Sequence, residues 1–364
     1  MSSPSMKQRT KFALDLLAEV LDSKSRKYAK IQAVSTGAGL VSEVYRVELS
    51  DNTSMKSSII AKIPNHVFRD FKSSEKSENW NPKEKNAAKS GHLEQTVCSL
   101  HNREVQFYRF ITVESKTPLK IPQFFHGDYV RQGANGVIII EDFTGSIDKH
   151  YSERMSMSLD QVFEVMQQIV NLQSIKADFN AFKLLDSQLE SLSNCIFLSA
   201  NVLFHRGLPW FSHSVFQKIL KISEVKYLRE LLTPEECVLC HGAMCLRNTL
   251  WKDESGPKLL ALISWTGVHA GSRTTDLATL LAINLDPEER HVVESNLLRE
   301  FVKMAGYQEE EKKIVENYRK SLEFGLLKLL VVVVTNPECD ISDDQTPEGL
   351  LSRRLSSLIE ELLQ

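Results

Sequence analysis

The hydrophobic period of this chain changes once, near residue 145, and that change restricts the fold to a two-part α+β arrangement. Before it, Val41 to Leu49 alternates around Val44-Tyr45-Arg46-Val47, and Ser58 to Ile63 is a short apolar strand ended by Pro64. Gly136 to Phe143 reads as a further strand, broken by Thr144-Gly145. From about residue 157 helical spacing dominates, over 158–174, 181–194, 211–232, 286–305, 309–333 and 347–363. The exception is 236–267, where two apolar runs flank the turn Lys252-Asp253-Glu254-Ser255-Gly256-Pro257 and predict a hairpin. In the first part, residues 9–22 have helical spacing with Phe12, Leu16, Leu17, Val20 and Leu21 on one side, and a second helix begins near His101. Residues 65–100, rich in Lys, Glu, Ser and Asn, predict an exposed, partly mobile loop. The expected division is a β-rich lobe over 1–143 and a helical lobe over 144–364.

Composition excludes several function classes. A formal net charge of -3 gives no electrostatic sign of nucleic acid or of an anionic membrane as partner. The first residues contain no continuous apolar segment of the secretory kind, and the most apolar run, Phe324 to Val334, is interrupted by Lys328 and too short to span a bilayer. Six cysteines without a regular framework fit a reducing compartment, so a cytoplasmic location is expected. Cys237, Cys240 and Cys245 around His241 invite a zinc reading. A structural zinc site needs a second ligand pair on another turn, and none follows. Cys237-Val238-Leu239-Cys240 reads instead as a buried strand end.

Chemistry is concentrated in ordered short elements. Gly37 and Gly39 lie just before the first strand, where backbone N–H groups can approach a phosphate; glycine is equally the default turn residue. Lys62 sits in the strand Ile60-Ala61-Lys62-Ile63, and Glu104 follows at the start of a helix. Glu141 ends the strand Val137-Ile138-Ile139-Ile140. Then come Cys240-His241-Gly242-Ala243-Met244-Cys245-Leu246-Arg247-Asn248, the hairpin, Ile263-Ser264-Trp265, His269-Ala270-Gly271-Ser272 and Asp276-Leu277-Ala278.

This succession resembles the CHK kinase-like (ecdysteroid kinase-like) family and its nematode branch, related in fold to aminoglycoside phosphotransferases and choline kinases. Asn102-Arg103-Glu104-Val105, followed by Phe107-Tyr108, is similar to a helix of that family. The resemblance covers about residues 30 to 330 and implies a two-lobed protein-kinase-like fold. It implies ATP as cofactor, with Gly37, Gly39, Lys62, Glu104 and the strand ending at Glu141 on the nucleotide. It further implies Asn248 as a metal ligand and Asp276 as a structural acceptor for the backbone of the His241-Gly242 loop.

Two positions depart from the pattern. Ala243 stands where the family carries the aspartate that orients the acceptor hydroxyl, and Ser264 where it carries a metal-binding aspartate. Losing a general base costs about 10²–10⁴-fold in rate. A neutral hydroxyl is a weak ligand for a hard cation, which argues against magnesium. The favoured reading is a catalytically impaired pseudokinase that binds a nucleotide, a small molecule or a protein. The alternatives are an active phosphotransferase acting on hydroxyl groups of steroid-like or xenobiotic compounds, and a non-catalytic interaction protein working through 65–93 or the amphipathic helix 350–363. For that helix, packing within the lobe explains the pattern equally well.

Overall fold

Strand alternation assigns the two faces of the first sheet. The computed structural model describes residues 15–20, 28–35, 41–49, 58–64, 90–113, 118–131, 134–147, 155–254, 256–335 and 347–363. The chain divides into two compact units, Met1–Ser115 with Pro122–Gly145, and Lys116–Ile121 with Ser146–Gln364.

In the first unit a helical segment, α1 (15–20), precedes a sheet of β1 (Tyr28–Ser35), β2 (Ser42–Leu49) and β3 (Ser58–Pro64). Helix α2 (Ser90–Val113), β4 (Phe124–Arg131) and β5 (Ala134–Glu141) complete it. The strand order is β1-β2-β3-β5-β4, with every neighbouring pair antiparallel. Ile59, Ala61 and Ile63 of β3 join Tyr45, Val47, Val137, Ile139 and Leu17 in one apolar cluster. Because side chains alternate along a strand, Lys62 belongs to the opposite face. On α2 the buried residues Val97, His101, Glu104, Val105, Tyr108 and Ile111 recur at helical spacing. Glu104 therefore sits in the middle of the helix's buried stripe.

Helix α2 begins at Ser90, inside the stretch expected to be loop, while residues 65–89 lie outside the described ones. Its first turns carry few apolar groups, so spacing hides them. Asn102 fixes the helix to β4: its amide donates to Val130 O (3.0 Å) and accepts from Val130 N–H (2.7 Å).

The second unit is mainly helical. It contains α3 (Leu159–Gln173), α4 (Phe179–Phe182), α5 (Asp186–His205), α6 (His213–Ile222) and α7 (Val225–Leu232). Strand β6 (Val238–Cys240) follows, then β7 (Thr249–Glu254), β8 (Gly256–Leu262) and β9 (His269–Gly271). Helices α8 (Thr275–Asn284), α9 (Pro287–Ala305), α10 (Glu311–Thr335) and α11 (Pro347–Leu363) end the chain. The hairpin is β7–β8 alone; Val238–Cys240, expected to belong to it, pairs with β9 instead. The reason is the loop after β6, which turns the chain before the hairpin starts.

Every residue of α8 is buried, so this helix has no solvent face. It crosses α10 closely at Gly325, where an added Cβ would lie 3.0 Å from Ala282 Cβ. The apolar side of α11 is covered within the same unit: Leu351, Leu355, Leu358 and Ile359 are buried, and the Arg354 guanidinium reaches Asp286 Oδ1 at 2.7 Å. That helix packs as core, and its amphipathic stripe is not an open docking face. Overpacking the α8–α10 crossing with Gly325→Leu should destabilise by about 1–3 kcal/mol, read as a lower urea midpoint. An unchanged midpoint would mean that the crossing is slack.

Candidate functional site

The sequence-derived residues fall into two constellations, one in each unit. In the first, β3 presents Lys62 and α2 presents Glu104. The Lys62 ammonium lies 2.6 Å from both Glu104 carboxylate oxygens. The Lys62 side chain is 11% exposed and that of Glu104 is fully buried. At such burial the pair is mutually required, since removing one partner of a buried pair costs about 3–5 kcal/mol. One turn away, burial lowers the pKa of His101, against its bond to the Asp128 carbonyl, and its Nε2 lies 2.9 Å from that oxygen.

Gly37 and Gly39 lie outside the described residues. Glu141 closes the end of β5: its N–H donates to Gln123 O at 2.9 Å, and its Oε2 accepts from Gln123 N–H at 3.0 Å. The neighbouring Asp142 escaped the sequence reading. It accepts from Arg46 Nε (2.7 Å), the Ser58 hydroxyl (2.6 Å) and Thr144 N–H (2.8 Å). Burial raises its pKa, but the hydrogen bonds from Ser58, Thr144 and Arg46 outweigh that and leave it lowered. The one signal available was a second carboxylate directly after an apolar strand.

The second constellation is built around the loop after β6. Asp276, in the first turn of α8, accepts the N–H groups of His241 (2.6 Å) and Gly242 (2.8 Å) on separate oxygens. Gly242 has φ +77, and a Cβ there would lie 2.2 Å from Gly267 O, so only glycine fits. Ala243 N–H donates to His241 Nδ1 (3.3 Å), which leaves Nε2–H to donate to Ile263 O (3.0 Å). The imidazole is thereby held as one neutral tautomer, its ring 4.4 Å from that of Trp265. Asn248 Nδ2 donates to Ala243 O at 2.8 Å, and Asn284 Oδ1 accepts Leu246 N–H at 2.8 Å.

His241, Gly242, Ala243, Asn248 and Asp276 are thus brought together, and Ser264 follows the strand end that His241 contacts. Ser264 is the one non-glycine residue with positive φ among the described residues (φ 66, ψ 57). Asp and Asn enter this left-handed region several-fold more readily than most residues. Ala243 offers no side-chain oxygen, and both Asp276 oxygens are engaged by backbone donors. Among the described residues no group of three or more His, Cys, Asp and Glu is arranged to hold a metal ion.

Burial raises the Asp276 pKa to about 6, against the hydrogen bonds from Gly242 and His241 and the charge of Lys328. The folded chain then holds this proton to higher pH than the unfolded chain, so the Asp276 contribution to stability falls as pH rises from about 4 to 6. The stability difference between wild type and Asp276→Asn should shrink over that range in paired urea titrations. Asp276→Ala, which leaves two buried N–H donors unmatched, should cost about 2–4 kcal/mol near pH 4, and its cost should shrink toward pH 6 as that of Asp276→Asn does. A variant as stable as wild type would overturn the assignment.

A family model described as "Uncharacterized oxidoreductase dhs-27" (DUF1679) matches residues 17–202 and 210–322. The chain belongs to this family. No curated protein matches the DUF1679 chain by sequence. Solved structures similar to it include the GDP complex of wild-type aminoglycoside 2'-phosphotransferase-IIIa, at 12% identity and a TM-score of 0.51, covering 96% of this chain and 97% of that one. The GDP and kanamycin complex of APH(2")-IIia is similar at 13% identity and a TM-score of 0.52, covering 96% and 97%. The DUF1679 chain therefore has the two-lobed α+β fold of the protein-kinase-like phosphotransferases. The sheet topology differs from that of a dinucleotide-binding fold. A dinucleotide-binding fold is a parallel sheet, and every strand pair among the described residues is antiparallel. No helix among the described residues is long and apolar enough to cross a membrane.

Proposed function

We propose that this DUF1679 chain is a pseudokinase related to the CHK kinase-like family, one that binds a nucleotide or small molecule without transferring phosphate. One observation carries the reading: the loop from His241 to Asn248 keeps its full hydrogen-bonded frame, while Ala243 and Ser264 leave it without a reacting carboxylate. Loss of the frame would suggest decay of the whole site. Loss of the carboxylates inside an intact frame points to a retained scaffold with altered chemistry.

The residues present fit a nucleotide and do not fit magnesium. A buried ammonium held by a carboxylate, as in Lys62–Glu104, is the phosphate-facing pair of this fold class. Bound nucleotide would supply a polyphosphate, and Lys62 would meet it as a positioned charge. For the metal, Ala243 brings no oxygen, Ser264 brings a neutral one, and the Asn248 amide nitrogen is turned onto the Ala243 carbonyl. No phosphoryl-transfer step is therefore assigned to this chain. The free thiols of Cys98, Cys195, Cys237, Cys240 and Cys245 support a reducing, cytoplasmic setting.

Thermal-shift titration with ATP, with and without magnesium, tests the reading. The expected outcome is a magnesium-independent shift; stabilisation reaches about 2.7 kcal/mol at a ligand concentration of 100 times Kd. The double variant Lys62→Met, Glu104→Gln should abolish the shift without leaving a buried charge unpaired. A shift that requires magnesium, or steady phosphorylation of steroid-like or xenobiotic alcohols, would establish an active phosphotransferase instead. Ala243→Asp together with Ser264→Asp should restore metal-dependent nucleotide hydrolysis.

A further inference from the structure

Strand register orders the residues on the face of the first sheet that carries Lys62. Val44 lies opposite Lys62, Arg46 opposite Ile60 and Glu48 opposite Ser58, while Ile138 and Ile140 of β5 lie opposite Lys62 and Ile60. Residues directly opposite one another share a face. The Arg46 guanidinium bears this out, with Nη2 donating to Ser58 Oγ at 3.2 Å. Ser42 lies opposite Pro64, one row beyond Lys62, and belongs to the same face. Diagonal neighbours of this kind stand about 7–8 Å apart, within reach of a long side chain.

The two serines of this face differ in their partners. The Ser58 hydroxyl donates to Asp142 Oδ2 (2.6 Å) and accepts from Arg46, which also donates to Asp142 (2.7 Å) and Glu48 (2.7 Å). Two carboxylates there meet one guanidinium, so that end of the face repels an anion. Ser42 is 5% exposed, and among the described residues its Oγ has no hydrogen-bond partner. Pro64 opposite carries no N–H and cannot donate to it. A buried hydroxyl without a partner is costly, and native proteins keep few of them. Lys62 has a matching surplus. An ammonium carries three donors, and Glu104 presents two oxygens, both at 2.6 Å, so one N–H is left over.

An unused hydroxyl and an unused ammonium N–H thus stand in adjacent rows of one sheet face, with half-buried Val44 next to both. Both are donors, and an oxyanion accepts two donors at once most strongly when one of them is charged. We propose that Ser42 and Lys62 together hold a phosphate group, the hydroxyl donating to one phosphate oxygen and the ammonium to another. The hydroxyl that costs stability in the free chain is then matched when the ligand binds. This site rests on Lys62 as the phosphate-facing residue of the proposed function. It adds a binding residue that depends neither on the carboxylates absent at 243 and 264 nor on magnesium.

Isothermal titration calorimetry of the full chain with sodium tripolyphosphate in EDTA, paired with a urea titration of each variant, tests the site. Ser42→Ala should weaken tripolyphosphate binding about tenfold, the loss of one hydrogen bond to a charged group. It should leave the urea midpoint unchanged or raised, because the deleted hydroxyl has no partner in the free protein. Ser42→Thr, which keeps the hydroxyl on a strand that favours β-branched residues, should retain the affinity. Equal affinity in wild type and Ser42→Ala, a urea midpoint lowered by Ser42→Ala, or no binding of tripolyphosphate to wild type overturns the site. A parallel titration with ATP separates the two readings. ATP binding indifferent to Ser42→Ala keeps the nucleotide and removes Ser42. Ser42-dependent binding of tripolyphosphate without any binding of ATP keeps the site and removes the nucleotide.

Discussion

The carboxylate of Asp276 is what the loop geometry depends on. It collects two successive backbone N–H groups in a fully buried region, where each unmatched donor would cost about 1–3 kcal/mol. Those two bonds fix the peptide between His241 and Gly242, and the left-handed turn at Gly242 then brings the chain against Gly267. His241 is oriented by Ala243 and Ile263, and Asn248 ties the far end back to Ala243. No part of this frame uses a side chain at 243 or 264. The fold of the loop and the chemistry proposed to be missing from it therefore rest on different residues.

The Lys62–Glu104 pair follows a similar logic in the other unit, with the opposite outcome. There the group that would meet a ligand is also one half of a buried ion pair, so it cannot be removed without stranding its partner. Structural necessity maintains Lys62 whether or not a nucleotide is bound.

Much of this was legible in the sequence, and the failures have physical causes. The sequence reads 211–232 as one helix where the structure has α6 and α7; β2, β3 and β5 show in their apolar alternation or runs, and α3, α5, α9, α10 and α11 in their spacing. Helix α8 does not, because a helix buried on all sides has no polar face to create a period. β1 and β4 escape notice because Tyr28–Ser35 and Phe124–Arg131 mix polar and apolar residues without clear alternation. His241, Gly242, Asn248 and Asp276 can be read as a motif. The left-handed backbone of Ser264, the fixed tautomer of His241 and the anchoring of Asp142 require coordinates, since each depends on residues far away in the chain.

The backbone at Ser264 carries one more consequence. A left-handed conformation costs a serine roughly 1–2 kcal/mol, and nothing in its own side chain compensates through a cap. The conformation is imposed from both sides, by Ile263 N–H on Asn248 O (2.9 Å) and by buried Trp265 with Gly267 behind it. The left-handed shape, which suits an aspartate, therefore stands without one. In the proposed pseudokinase the difference from a catalytic loop lies in two side chains and not in the path of the chain, so the way back is as short as the way out.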